Sequence, residues 1–114
     1  MSKIIYLAAP YSHEDKHIRE LRYLQITEVT ARLIKEGNIV FSPITYGHIL
    51  SEMEDLPTTF EFWEKFCLAF LEKCDEMYVL TLDGYSTSKG VSMELKYCDE
   101  NKIPVKYIDY VQKG

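Results

Sequence analysis

The sequence predicts an α/β domain built on a parallel sheet with strand order 2-1-3-4 and helices on both faces. Short, nearly continuous apolar runs occur at residues 3–9, 39–41, 77–82 and 103–108, as expected of strands covered on both sides. Between them lie longer stretches with apolar residues at helical spacing. Strands alternating with helices require right-handed crossovers, which make the strands parallel and put helices on both faces. At 114 residues and 13.4 kDa, the chain has the size of one domain, read here as spanning all of 1–114.

The first strand runs from Lys3 to Ala9 and stops at Pro10-Tyr11-Ser12. Ser12, Glu14 and Asp15 form a helix-start signature, and Ile18, Leu21, Ile26, Val29 and Leu33 then recur on one helical face until Gly37-Asn38 ends the run. Ile39-Val40-Phe41 makes a short second strand, halted by Ser42-Pro43. From Ile44 to Thr59 the chain carries Gly47 and Pro57 with little periodicity, which fits either a loop or a broken helix, and a segment this long between elements tends to be functional. Thr58 or Thr59 caps a helix with Trp63, Cys67, Phe70 and Cys74 on one stripe and Phe60, Phe66 and Leu71 beside it. Met77 to Leu82 forms the third strand. Asp83-Gly84 breaks it, residues 86–90 lead into a helix from about Val91 to Asn101, and residues 103–108 form the last strand.

Composition narrows the function. Hydrophobic residues at 46% and charged residues at 27% exclude a disordered chain, and no apolar run is long enough for a membrane span. The net charge of -5, with basic residues scattered, disfavours binding to a nucleic-acid polymer while leaving room for a small anion at a helix terminus. Cys67, Cys74 and Cys98 fit neither a zinc knuckle nor a CxxC pair, and His13, His17 and His48 have no partners at metal spacing, so no metal and no cofactor is expected. The odd cysteine count and the absence of a signal-like start point to the cytoplasm.

In an open parallel sheet the ligand crevice lies beyond the carboxyl ends of the strands, where the order reverses. That puts residues 9–12, including Ser12, and residues 83–90 at one mouth. Neither segment carries a dinucleotide or nucleotide-triphosphate fingerprint. Ser86, Thr87, Ser88 and Gly90 offer hydroxyls and free N–H groups for one phosphate, although serines cap helices equally well without a ligand. Glu94 falls within the apolar stripe of Val91, Leu95 and Cys98. A capping box would need Ser or Thr at position 91, which is Val, so Glu94 is either an edge carboxylate reaching water or a nucleophile or base facing the crevice. Tyr6 is either a core tyrosine or a hydroxyl aimed at that carboxylate. Trp63 either packs in the core or stacks a base at the rim.

Tyr6, Asp75 and the segment Ser88-Lys-Gly-Val-Ser-Met-Glu94 resemble the nucleoside 2-deoxyribosyltransferase superfamily from Ile4 to Ile108, especially its small, often phage-borne branch and the deoxynucleoside 5'-monophosphate N-glycosidases. The resemblance implies a flavodoxin-like Rossmann three-layer sandwich, assembled as a homodimer or larger, with a neighbouring subunit completing each site. It implies that Glu94 is the catalytic nucleophile, Tyr6 the residue that positions it and Ser88 a phosphate contact. The implied reaction is hydrolysis, or transfer, at the N-glycosidic bond of a 2'-deoxynucleoside 5'-monophosphate. This chain departs from the family by carrying Cys67 where the family has an aspartate that assists the leaving base or the sugar, and by placing Pro10-Tyr11-Ser12 where glycosidase relatives are Gly-rich and basic. Asp83 is the first candidate to have taken over the aspartate's role. The competing expectation is a nucleotide-binding protein that keeps the pocket and has lost the reaction.

Overall fold

The computed structural model describes residues 3–111. In chain order the elements are β1 (Ile4–Ala8), α1 (Lys16–Lys35), β2 (Ile39–Phe41), α2 (Pro43–Glu54), α3 (Phe60–Leu71), β3 (Glu76–Leu80), a single 3-10 turn (Tyr85–Thr87), α4 (Lys89–Glu100) and β4 (Val105–Ile108). The four strands form one all-parallel sheet in order β2-β1-β3-β4, as the sequence predicts and as a flavodoxin-like three-layer sandwich requires.

Side chains alternate across the sheet, and the two faces bury separate clusters. Tyr6, Ala8, Met77 and Val79 pack with Cys67 and Leu71 of α3 and with Val91 and Cys98 of α4. Leu7, Ala9, Leu80 and Leu82 pack on the opposite face with Ile26 and Val29 of α1. At the amino end of the sheet Asp75 is pinned to Ile4: its N–H donates to the Ile4 carbonyl and its carboxylate accepts from the Ile4 N–H, each at 2.8 Å. Asp75 therefore ties β1 to β3 at the end away from the crevice.

Several expectations need correction. In the region read as loop or broken helix, residues up to Glu54 form an unbroken helix, α2, and residues 55–59 a short connection; Ser42 caps the helix through the Thr45 N–H and Pro43 occupies its first turn, where a missing N–H costs nothing. The cap of α1 is Asp15, which accepts from the His17 N–H, and not Ser12. Leu21 is 54% exposed instead of facing the core, because the first turns of α1 stand beside the crevice, where Arg22 lines the wall, and it is Ile26 and Val29, with Leu33 beside them, that pack against the sheet. Thr59 precedes α3 without a side-chain capping bond, and Phe70 lies half-exposed beside the buried pair Cys67 and Leu71.

Candidate active site

Beyond the carboxyl ends of β1 and β3 lies a cavity of about 420 Å³. The loop after β1 forms one wall with Pro10, Tyr11 and Ser12; α2 contributes Gly47 and His48, α3 Trp63 and Cys67, and the start of α4 Ser88, Gly90 and Glu94. The two segments the sequence placed at a common mouth do meet there.

Glu94 is buried on the inward face of α4 with Val91 and Cys98, and its carboxylate accepts a hydrogen bond of 2.5 Å from the Tyr6 hydroxyl of β1. Burial raises the Glu94 pKa to about 7, against the lowering effect of the Tyr6 hydrogen bond. Tyr6 stays a neutral donor, since burial and the adjacent Glu94 charge hold its pKa well above the ordinary tyrosine value. A carboxyl group balanced between its two forms near neutral pH, orientated by one donor and open to a cavity, is suited to nucleophilic or general-base chemistry. Cys67 stands beside this pair. Burial, with the Glu94 charge second, pushes its thiol up to about 12, so it is uncharged at pH 7.

At the rim, the Ser88 hydroxyl accepts from the Val91 N–H and caps α4. The Lys89 and Gly90 N–H groups, in the first turn, have no intrahelical carbonyl to bind. Gly90 is required by close packing: a Cβ there would lie 2.9 Å from the Phe60 ring. Ser12 donates to the Thr58 carbonyl and the Trp63 indole N–H to the Pro57 carbonyl, at 2.9 and 2.8 Å, which together hold the α2–α3 connection over the cavity.

Two residues named from the sequence fall elsewhere. Ser86 is exposed in the 3-10 turn and does not line the cavity, because that turn swings residues 85–87 outward before α4 begins, and only Thr87 among them reaches the wall. Asp83 is also exposed and off the cavity; it is its carbonyl that matters, accepting from Arg22 at 3.0 Å. A site residue that sequence reasoning missed is Arg22. Its guanidinium donates to the carbonyls of Tyr11, Ser12 and Asp83 and so fastens the loops after β1 and β3 together at the cavity wall. Tyr11 and His48 were missed as well, and lie 2.6 Å apart from hydroxyl to Nδ1. Their only signal was position, Tyr11 after the first strand and His48 in the uninterpreted stretch. Among the described residues no group of three or more His, Cys, Asp or Glu side chains is placed to hold a metal, and no helix is long and apolar enough to cross a membrane.

No curated protein matches the sequence. Residues 3–109, which include every strand, every helix and the whole cavity wall, match the family described as Domain of unknown function (DUF1937), and the chain belongs to that family.

Proposed function

We propose that this protein cleaves the N-glycosidic bond of a 2'-deoxynucleoside 5'-monophosphate, with Glu94 as nucleophile, and that it is a distant relative of the nucleoside 2-deoxyribosyltransferases. The observation that carries this reading is the buried Glu94–Tyr6 pair at the wall of a cavity whose rim is the first turn of α4. N-glycosidic cleavage develops positive charge at the anomeric carbon, and a carboxylate beneath that carbon stabilises it or traps it as a glycosyl ester. A 2-deoxy sugar lacks the electron-withdrawing hydroxyl that would oppose this charge, so a single carboxylate suffices. The phosphate binds at the α4 amino terminus, where the Lys89 and Gly90 N–H groups and the Ser88 hydroxyl converge with the helix dipole. One helical turn separates Gly90 from Glu94, which sets the sugar over the carboxylate once the phosphate is held. Water then resolves the ester, giving free base and 2-deoxyribose 5-phosphate; a second base in place of water would make the reaction a transfer. The assembly is a homodimer, and its compartment is the cytoplasm.

The uncharged Cys67 thiol favours a second reading, a protein that binds the nucleotide without turning it over. Incubation with a panel of deoxynucleoside monophosphates, followed by chromatography for free base, separates the two. Base release that disappears in Glu94→Gln supports the glycosidase, whereas tight binding with no base released from any member of the panel leaves the binding protein.

A further inference from the structure

We propose that Tyr11, His48 and Glu52 form a proton relay in which Tyr11 is the catalytic acid for the departing base and then the catalytic base for the attacking water. The inference rests on the glycosidase reading and supplies what Cys67 cannot. A nucleobase leaving as an anion needs a proton; the Tyr6 hydroxyl is committed to Glu94, and burial makes the Cys67 thiol a weak acid, with its pKa pushed up to about 12.

The geometry is that of a hydroxyl, an imidazole and a carboxylate in series. The Tyr11 hydroxyl lies 2.6 Å from His48 Nδ1, and His48 Nε2 lies 3.3 Å from a Glu52 carboxylate oxygen one helical turn along α2. The imidazole is fixed in that orientation. It stacks on the Tyr23 ring of α1 with centroids 4.1 Å apart, and the Tyr11 ring meets it edge-on at 5.7 Å. His48 is buried, an unusual place for an imidazole unless its nitrogens are employed.

Tyr11 and His48 also stand between two cavities. Both line the one that holds Glu94 and, on the other side, a smaller one of about 260 Å³ walled by Lys16, Arg19 and Glu52. With the phosphate at α4 and the sugar over Glu94, the base extends toward α2. There Pro43, Ile44 and Gly47 form an apolar wall, and a Cβ at Gly47 would meet the Trp63 ring at 3.5 Å, so a side chain longer than a methyl would press on that ring. Tyr11, His48 and the buried Ser51 of α2 are polar groups at that end, and of these Tyr11 and His48 are bonded to each other.

The two half-reactions balance. In the first, Glu94 attacks the anomeric carbon, the carbon–nitrogen bond breaks and its electron pair goes to the base. The base takes the Tyr11 proton, while Tyr11 takes a proton from Nδ1 of the His48 imidazolium, whose charge Glu52 offsets. In the second, water attacks the anomeric carbon and the ester bond returns its pair to Glu94. The water proton passes to Tyr11, and the Tyr11 proton passes to His48, restoring the imidazolium. Burial lowers the His48 pKa, with Arg19 and Lys16 of α1 acting the same way and Glu52 and Glu20 opposing them, so the imidazolium that the first half-reaction uses is the minor form at neutral pH and gives up its proton readily. Burial raises the Tyr11 pKa and keeps the hydroxyl protonated at rest, with Arg19 acting against it.

The test compares kcat/KM for wild type, Tyr11→Phe, His48→Gln and Glu52→Gln on two substrates: the deoxynucleotide of the panel cleaved fastest, and the same nucleotide carrying an acidifying halogen on its base. Loss of an acid catalyst costs about 10²-fold or more on the parent nucleotide, and the halogenated base, which departs with less help, recovers at least a tenth of that loss in Tyr11→Phe and His48→Gln while changing wild type little. Glu52→Gln moves the same way by a smaller factor. Equal losses on both substrates, or no loss in Tyr11→Phe, overturn the relay and leave the glycosidase standing. Tyr11→Phe keeps the ring, so it decides the matter even if His48→Gln does not fold. No base released by wild type overturns the glycosidase and the relay together.

Discussion

Glu94 concentrates the conflict between stability and function in one side chain. Its carboxyl pKa is raised from 4.5 to about 7 by burial. Below both values the group is protonated whether the chain is folded or not. Between them the unfolded chain has released a proton that the folded chain still holds, so stability falls as pH rises across that window and stays low above it. The penalty is on the order of 3 kcal/mol. Glu94→Gln keeps an acceptor for the Tyr6 hydroxyl and removes the charge. Thermal melts should therefore show the variant gaining on wild type between pH 5 and pH 8, and a constant gap would contradict the burial argument. The same substitution should lower turnover by several orders of magnitude while leaving nucleotide affinity nearly unchanged, since the lost interaction is made in the transition state. Titration calorimetry against single-turnover kinetics separates the two effects.

At the level of elements, the start of α4 does two tasks with one residue. Ser88 caps the helix through the Val91 N–H, so Ser88→Ala should cost about 1 kcal/mol in urea denaturation and also weaken nucleotide binding. Ser86→Ala, on the exposed turn, should change neither. Gly90→Ala tests the packing between α3 and α4, because the new methyl would lie 2.9 Å from Phe60; displacing that ring should cost about 1–3 kcal/mol, and an unchanged denaturation midpoint would show that Phe60 moves freely. These elements were legible to different degrees. The strands and their order followed from apolar runs interrupted by Pro10, Gly37, Pro43 and Gly84, since each break has a steric cause visible in the residue itself. The inward aim of Glu94 was legible because helical spacing fixes direction. The helix α2 was not, because its start rests on the cap bond of Ser42 and its apolar residues split between the α1 side and solvent. Tyr11, His48 and Arg22 escaped for a related reason: their roles depend on contacts between segments far apart in sequence, as when Arg22 reaches the Asp83 carbonyl.

For the molecule as a whole, the unfinished surface is the outer face of α2 and α3. Tyr46, Ile49 and Met53 recur along α2, at 51%, 48% and 76% exposure, and Phe62 and Phe70 stand half-exposed on α3. They form one patch. Tyr46 stacks on Phe66 at 5.6 Å, Phe66 meets Phe70 at 4.9 Å, and Phe70 stacks on Phe41 of the edge strand at 4.3 Å. Aromatic rings already ordered against one another lose little entropy when a partner covers them, and a contiguous apolar face of this kind on a small domain marks an interface. The partner that the dimer proposal supplies is the same face of a second copy, joined about a two-fold axis so that α2 and α3 pack on their counterparts. Because His48 and Trp63 sit on the inner sides of these same helices, the interface would also brace the cavity wall. Ile49→Lys combined with Phe62→Lys places four like charges across that axis at two half-exposed positions. Sedimentation should then show wild type at twice 13.4 kDa and the variant at 13.4 kDa, with base release falling in step with dissociation. A wild type that sediments as a monomer at micromolar concentration would instead leave the patch exposed and the cavity complete within one chain.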